Sequence, residues 1–126
     1  MPELPEVETR VRQLRASCID RTIQRALIRW PRHIDTPSPA AFKRRIRGQR
    51  IAEVRRRGKF LVFQLSADAL LFHLRMSGDL YVAAADTPAD RHAHTVLIFD
   101  NLEQLRFSDT RKFGRVYLVG AADEIT

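Results

Sequence analysis

The feature that most limits the possible folds is a series of short apolar segments, each bounded by turn residues, that fills the chain from residue 51 to residue 119. Segments of this length and alternation are typical of β-strands and too short for ordinary helices. With one earlier segment, the pattern predicts about eight strands. We place them at Thr22–Arg29, Ile51–Arg56, Lys59–Leu65, Ala69–Arg75, Leu80–Ala84, Thr95–Asp100, Gln104–Ser108 and Gly114–Val119.

Turn residues separate these segments. Gly58 lies between two of them and is interpreted as a bulge or kink. The sequence Ser77-Gly78-Asp79 is typical of a turn, and Asn101 is placed at the centre of a hairpin. The polar residues 85–91 are predicted to form a loop.

Two other segments have helical spacing. Apolar residues recur at three- and four-residue steps from residue 4 to residue 14, which predicts a helix over Pro5–Ala16. Ser38 as an N-cap predicts a short basic helix over Pro39–Arg47, buried through Phe42 and Ile46. The fold class is therefore mainly β with flanking helices. We expect a β-sandwich or partly closed barrel with the N-terminal helix packed at its edge.

The charge of the chain points to a polyanionic partner. Its 126 residues suit one domain, and they have a net charge of +7 and a pI of about 10.7. A basic domain of this kind favours nucleic acid binding, although an arginine-rich solvated surface is the alternative. The basic residues cluster at 43–50 and 55–59.

Composition also bears on location and cofactors. No apolar run reaches the roughly 18 residues of a membrane span, and no signal peptide precedes the first motif, so we expect a cytoplasmic protein and no membrane partner. Cys18 is the single cysteine, which excludes an intrachain disulfide or a cysteine-rich zinc site. His92 and His94 alone are too few ligands, so no metal site is predicted in this chain.

The first nine residues contain the best candidate for covalent chemistry. If the initiator methionine is removed, Pro2 becomes a free secondary amine, and α-amino groups titrate near ~8. Such an amine can form a Schiff base, with Glu3 giving or taking a proton. The alternative is a simple helix start, in which Pro5 suits the first turn and Glu3, Glu6 and Glu8 favour the positive end of the helix dipole. If Met1 stays attached, Pro2 is an amide and cannot be a nucleophile.

Several later residues could be functional or merely structural. Lys59 follows three arginines and a glycine, and by itself is a phosphate contact or simple surface. His73 at a strand end and Met76 before Ser-Gly would more often be structural. Phe113 lies in a short basic loop, where it is either an exposed wedge or a core residue.

Taken together, the blocks PELPEVET, RRRGKFLVF, HLRMSG and DTRKFGR resemble the formamidopyrimidine-DNA glycosylases, bacterial enzymes that excise oxidised purines. The resemblance extends from Pro2 to Val119. Thr110 and Lys112 depart from the commonest family form, Asp-Pro-Arg-Arg-Phe-Gly.

The resemblance implies roles for single residues near the reacting sugar. It assigns Pro2 as the nucleophile and Glu3 as the proton-transfer group. Glu6 is interpreted, from the helix dipole, as a structural acid at the helix start. It assigns Lys59 to DNA phosphate and to proton transfer during strand cleavage.

Other residues would hold the distorted DNA. Met76 and Phe113 match residues that fill the gap left by a flipped base, as apolar wedges do. Arg111 matches the residue that hydrogen-bonds the orphaned cytosine. His73 and His92 match residues that lie at or contact the DNA backbone.

The resemblance also implies a domain organisation. Residues 1–120 would be a catalytic β-sandwich domain and residues 121–126 the start of a linker to helical and zinc-finger domains, so zinc is expected in that finger and no cofactor in this chain. The expected partner is double-stranded DNA with an oxidised base, bound by a monomer in the bacterial cytoplasm.

Two other interpretations stay open. The sister enzyme endonuclease VIII has the same nucleophile but acts on oxidised pyrimidines; Leu4, Met76 and the Arg111–Phe113 block favour the purine enzyme. The isolated chain could instead be a non-catalytic basic DNA-binding module.

Overall fold

In a computed structural model, the chain is described over residues 4–75 and 78–120, with side chains from residue 8 onward. Two α-helices, a 3₁₀ turn at Pro31–His33 and nine strands are found in these residues. Their bounds are α1 Leu4–Cys18, β1 Ile23–Ile28, β2 Ile34–Thr36, α2 Pro39–Ile46, β3 Ile51–Arg57, β4 Phe60–Leu65, β5 Asp68–His73, β6 Gly78–Ala83, β7 Ala93–Phe99, β8 Gln104–Asp109 and β9 Arg115–Gly120.

The strands form two sheets that face each other. One has the order β1-β7-β8-β6 and the other β2-β9-β5-β4-β3. All neighbouring pairs are antiparallel except β2 and β9. The fold is a sandwich rather than a closed barrel, which confirms the predicted mainly-β class with an N-terminal helix.

The main core lies between the sheets and is closed by the two helices. Along β4, Leu61 and Phe63 point into this core, whereas Val62 belongs to a separate cluster on the outer face. The same alternation occurs in β5 and β7, whose two faces are both buried. Strands buried on both faces have continuous apolar sequences, as most of these two segments do.

Helix α1 runs along β3 in the opposite direction. The Arg15 side chain donates a hydrogen bond to the Val54 carbonyl (2.7 Å), and further along the chain Asp20 N–H donates to the Ile51 carbonyl (2.8 Å). Because a helix rises about 1.5 Å per residue and a strand about 3.3 Å, the first turns of α1 lie level with the end of β3 near Arg57. The N-terminal end of α1 is therefore directed toward the β3–β4 turn.

The predicted bulge at Gly58 is wrong. Arg57 pairs with Phe60, so Gly58 and Lys59 are the two central residues of a hairpin turn and Lys59 is not in a strand. Gly58 has a φ of +59°, which glycine adopts without steric cost at the first central position of such a turn.

Other predicted boundaries shift by a few residues. Helix α1 is longer at both ends than Pro5–Ala16, and α2 ends one residue before Arg47. The predicted turn at residues 77–79 is wrong in part, because Gly78 and Asp79 begin β6. Ser77 lies outside the described residues.

The segment after β1 contains an element that the sequence did not predict. Trp30 caps a 3₁₀ turn that begins at Pro31, and the short strand β2 follows it. Three residues are too few to give a periodic signal, and β2 is stabilised by its parallel partner β9. This segment places His33, fully buried, between the two sheets.

Candidate functional site

The described parts of the sequence blocks singled out above lie at one edge of the sandwich. His73, the last residue of β5, pairs with Phe60 beside the Gly58–Lys59 turn and with Arg115 at the start of β9. At the start of β6, Gly78 pairs with Asp109 at the end of β8. We call this the site edge: the β3–β4 turn, the end of β5, the start of β6 and residues 109–115.

The site edge has an excess of positive charge around His73. Burial, then the nearby charges of Arg75 and Lys59, lower the pKa of the His73 imidazole. Its ring packs edge-on against Phe60 at a centroid distance of 4.9 Å. A neutral imidazole between two cations suits an anionic ligand, because an anion offsets the repulsion and can accept the ring N–H.

The loop between β8 and β9 projects from this edge, and we call residues 110–113 the gap loop. Asp109 and Gly114 at its two ends are buried, whereas the residues between them are exposed. Phe113 is 51% exposed, so it does not fold back into the core. The Arg111 guanidinium lies 4.9 Å from the Phe113 ring centroid, which joins a cation and an apolar ring at the tip.

Asp109 closes the gap loop. Its Oδ2 accepts the Gly114 N–H at 2.6 Å, and its carbonyl accepts the Lys112 N–H at 3.4 Å. There is no room for a side chain at Gly114, since an added Cβ would lie 2.6 Å from Phe107 and 2.8 Å from Asp109. Lys112 has a φ of +60°, the left-handed conformation that turns the loop back.

Aromatic and polar residues beneath the gap loop were missed by the sequence analysis. The Lys112 ammonium lies 5.2 Å and the Arg115 guanidinium 5.6 Å from the Trp30 ring. His33 lies in van der Waals contact with Phe107, with a ring-centroid distance of 4.3 Å. Trp30 and His33 are far from the loop in sequence and match no local motif, so only tertiary packing reveals them.

His92 lies beside the gap loop, and its main-chain N–H and carbonyl are both hydrogen-bonded. Its N–H donates to Asp90 Oδ1 (2.8 Å), and its carbonyl accepts the Asp109 N–H (2.9 Å). His92 precedes β7, whereas His94 is inside β7 and buried, so the two histidines do not share a strand face. The half-exposed His92 is available to a ligand, whereas His94 directs Nε2 at the Asp109 carbonyl (3.1 Å).

The β6–β7 loop, which leads to His92, is held by hydrogen bonds from a buried arginine. The Arg106 side chain is 2% exposed, and its guanidinium donates to the Thr87 carbonyl (2.6 Å) and to Gln104 Oε1 (3.1 Å). At the other end of the loop, Asp90 accepts hydrogen bonds from Tyr81 (2.6 Å) and Ser108 (2.9 Å).

The candidate catalytic residues at the N-terminus lie outside the described residues. These are Pro2 and Glu3, and the same holds for Met76; the side chain of Glu6 is not described either. What is described is the direction of α1, whose Arg10 forms a 2.9 Å ion pair with Asp79 at the start of β6. The helix start is thereby joined to the site edge.

The basic clusters divide into two groups. Arg45 pairs with Asp68 at the start of β5 (2.9 Å), and Arg50 pairs with Asp20 (2.8 Å). Since β5 ends at His73, these residues lie at the opposite end of the sheet from the site edge, by roughly 17 Å of strand. The cations at the site edge are instead Lys59 in the β3–β4 turn, Arg75, and the basic residues of the gap loop.

No group of three or more His, Cys, Asp and Glu side chains is arranged to hold a metal ion in the described part of the chain. None of its helices is long and apolar enough to span a membrane.

Comparison with known sequences identifies one family over nearly the whole chain. Residues 1–116 match the model of the formamidopyrimidine-DNA glycosylase N-terminal domain. A formamidopyrimidine-DNA glycosylase of Herpetosiphon aurantiacus is 47% identical over 121 residues, which cover 94% of this chain and 44% of that protein. One from Bacillus subtilis is 42% identical over 125 residues, covering 98% and 45% respectively.

Solved structures give the same result. The formamidopyrimidine-DNA glycosylase of Lactococcus lactis bound non-covalently to DNA with an abasic site has a TM-score of 0.89 and 34% identity, covering 98% of this chain and 47% of that one. Its complex with DNA containing a formamidopyrimidine lesion has a TM-score of 0.88 and 35% identity, covering 95% and 45%. The chain thus spans about half the length of the relatives that it matches.

Proposed function

The chain belongs to the formamidopyrimidine-DNA glycosylase family, whose N-terminal domain it contains, and from this membership we propose that it acts in DNA base-excision repair. The proposed activity is that of a bifunctional glycosylase and abasic-site lyase for oxidised purines such as formamidopyrimidine and 8-oxoguanine. One observation supports it best: the Lys59 turn, His73, His92 and the gap loop meet at one edge, toward which the start of α1 is directed.

The proposed chemistry begins at the N-terminal amine. The Pro2 nitrogen bonds to C1′ of the damaged nucleoside as the bond from C1′ to the base breaks, and the base leaves with the proton that the amine gives up. The C1′–O4′ bond then breaks with transfer of a proton from Glu3 to O4′, which opens the sugar ring and leaves a C1′=N iminium. The resulting iminium is an electron sink that acidifies the C2′ proton. Loss of that proton expels the 3′ phosphate, and a further elimination releases the 5′ phosphate. Glu3 and Lys59 are the proposed proton-transfer groups.

The gap loop is proposed to stabilise the opened duplex. Extruding a base costs a few kcal/mol of stacking and pairing, and less for a damaged base. Phe113 and Met76 would fill the gap, and the planar guanidinium of Arg111 would hydrogen-bond the orphaned cytosine. His73 and His92 would contact phosphates on either side.

The organisation of the complete protein is part of the proposal. Residues 1–120 would be the catalytic domain and residues 121–126 the start of a linker. A helical region and a zinc finger, with the zinc ligands, would lie outside this chain. We expect a monomer that acts on chromosomal DNA in the bacterial cytoplasm.

Trapping of the Schiff base tests this function. The protein expressed from its complete gene is incubated with duplex DNA containing an abasic site, and borohydride reduces the iminium to a stable crosslink. We expect trapping by the wild type and much slower trapping by Pro2→Gly, which should still bind the DNA. A protein that binds without trapping would be a DNA-binding module, and equal trapping when Met1 is retained, checked by mass spectrometry, would exclude Pro2. Faster release of oxidised pyrimidines than of oxidised purines would favour the endonuclease VIII type.

A further inference from the structure

A buried polar pair lies directly beneath the gap loop. His33 and Asp109 are both completely buried, and His33 Nε2 lies 3.4 Å from Asp109 Oδ2. The same carboxylate oxygen accepts the Gly114 N–H that closes the loop. On the other side of the imidazole, Nδ1 lies 2.9 Å from the Thr95 hydroxyl.

The arrangement fixes the imidazole in one protonation state. Burial, despite the opposing effect of Asp109, lowers the pKa of His33 to about 4, and His94 and Arg115 act in the same direction as burial. The ring is therefore neutral at pH 7. Because a carboxylate oxygen only accepts, the single ring proton belongs on Nε2 facing Asp109, and Nδ1 accepts the hydroxyl proton of Thr95.

A turn at the surface can form without a buried pair of this kind. At the other end of β8, the β7–β8 turn is closed by exposed groups, with Asn101 and Glu103 bonded to each other at the surface. Burying a carboxylate is costly unless it is well partnered. A loop closed by a buried carboxylate and backed by a buried histidine is held more rigidly than turn formation alone requires.

We propose that His33 and Asp109 are positioning residues that set the geometry of the gap loop, so that Arg111 and Phe113 meet the opened duplex already in place. This inference rests on the function proposed above. Its physical basis is preorganisation: side chains held by a packed and hydrogen-bonded supporting shell lose less freedom on binding and keep the required geometry. Neither residue touches DNA in this scheme, and both act through the backbone of residues 110–114.

The test uses Asp109→Asn and Asp109→Ala in the protein expressed from its complete gene. Three rates are measured: excision of 8-oxoguanine opposite cytosine, excision opposite adenine, and cleavage of a pre-formed abasic site. A misplaced loop should slow excision opposite cytosine about 10- to 100-fold, the scale of an ångström-level displacement. The preference for cytosine should fall, and abasic-site cleavage should change much less. His33→Ala should follow Asp109→Ala, and Asp109→Asn, which keeps the shape and one acceptor oxygen, should be milder than Asp109→Ala.

Asp68→Asn is the matched control. Asp68 is also a buried carboxylate, bonded to Gln49 Nε2 (2.7 Å), but it lies at the far end of β5. Asp68→Asn should lower the thermal stability of the protein without changing the ratio of the three rates. If the Asp109 variants instead lower all three rates in parallel, Asp109 is a structural residue only and the inference is wrong.

Hydrogen exchange of the Gly114 amide separates this inference from the proposed function. In the free protein the amide should be protected, and Asp109→Ala should expose it while leaving the amides of β4 and β5 protected. Unchanged Gly114 protection in the variant would overturn the inference even if the enzyme is active. A wild type that excises no oxidised purine would overturn the proposed function, and with it any role in base recognition, whatever the exchange data show.

Discussion

The guanidinium of Arg10 lies 2.9 Å from the carboxylate of Asp79, and this ion pair joins the second turn of α1 to the start of β6. It is the described contact that most directly relates the N-terminal segment to the site edge. Its two side chains are 36% and 51% exposed, so its contribution to stability is small.

We therefore predict a separation of stability from chemistry for Asp79→Asn. The free energy of unfolding should fall by less than about 1 kcal/mol, the usual range for an exposed pair. Borohydride trapping should slow severalfold, by no more than the roughly 5-fold that 1 kcal/mol allows, because the helix start loses part of its alignment with the site edge. Urea unfolding and trapping rates measure the two effects. Asp20→Asn, which breaks the comparably exposed Arg50–Asp20 pair at 2.8 Å, is the control and should leave trapping unchanged.

Phe113→Ala should lower base excision with little effect on stability. Phe113 is 51% exposed, so its removal leaves no cavity, but a wedge of this size would be missing from the opened duplex. Cleavage of a pre-formed abasic site should be affected far less, since no base needs extrusion there. The control is Leu102→Ala, because Leu102 is 62% exposed on the turn at the other end of β8. Equal losses on both substrates would argue against a wedge.

Gly114→Ala should be one of the most harmful single-methyl changes in the chain. The added Cβ would lie 2.6 Å from Phe107 Cζ and 3.0 Å from the His73 carbonyl, so the loop or the core must move. Overpacking of this kind costs about 1–3 kcal/mol, measurable by urea unfolding. Gly48→Asn is the comparison: Gly48 has a φ of +86° but nothing within 4 Å, and asparagine tolerates that conformation. A loss no larger than that of Gly48→Asn would contradict the prediction.

The stability of the fold should fall on mild acidification because of His33. Burial lowers its pKa from 6.5 to about 4, so the unfolded chain binds a proton in this interval and the folded chain does not. The stability that the neutral imidazole contributes is thus present above pH 6.5, declines below it, and is fully lost only below pH 4, at a total cost of about 3 kcal/mol. Denaturant unfolding at pH 7 and pH 5 should show a smaller difference for His33→Gln than for the wild type. The pKa values of His73 and His94 are also lowered by burial, but they affect both proteins alike.

The salt dependence of DNA affinity should arise from the cations at the site edge and not from those at the far end of the sheet. Arg75→Gln at the site edge should reduce the log–log slope of DNA affinity against salt by about 0.9 for each lost phosphate contact. Arg44→Gln on α2, an exposed residue near the far end, should leave the slope unchanged. Equal reductions would mean that DNA covers both ends.

Much of the fold could be predicted from local sequence. The strands β3 to β9 have alternating or continuous apolar segments bounded by turns. Both helices have the expected spacing, and α2 has the expected cap, with the Ser38 hydroxyl accepting the Ala41 N–H at 3.2 Å. Strand β2 could not be found, because three residues have no period and depend on β9 for hydrogen bonds. Gly58 was misjudged because a two-residue turn and a bulge place glycine in the same sequence context.

The exposed residues of the candidate site could be selected from the sequence, whereas the residues that pack beneath them could not. Arg111, Phe113 and Lys59 lie in contiguous motifs and could be selected by pattern. His33 and Trp30 could not, because a lone histidine or tryptophan after a strand has no local signal and gains significance only through contact with Asp109 and Lys112. Residues that support a site from a distant segment are found by packing rather than by spacing.

The buried Arg106 has a consequence for how this protein can diverge. It holds the β6–β7 loop through the main-chain carbonyl of Thr87, a group that every amino acid supplies. Selection on this contact therefore acts on the arginine and on the path of the backbone. It does not act on the identity of the residues whose carbonyls the arginine contacts. Across relatives, positions 84–88 should drift freely in sequence at constant length, and an insertion or deletion there should be accompanied by loss of the arginine.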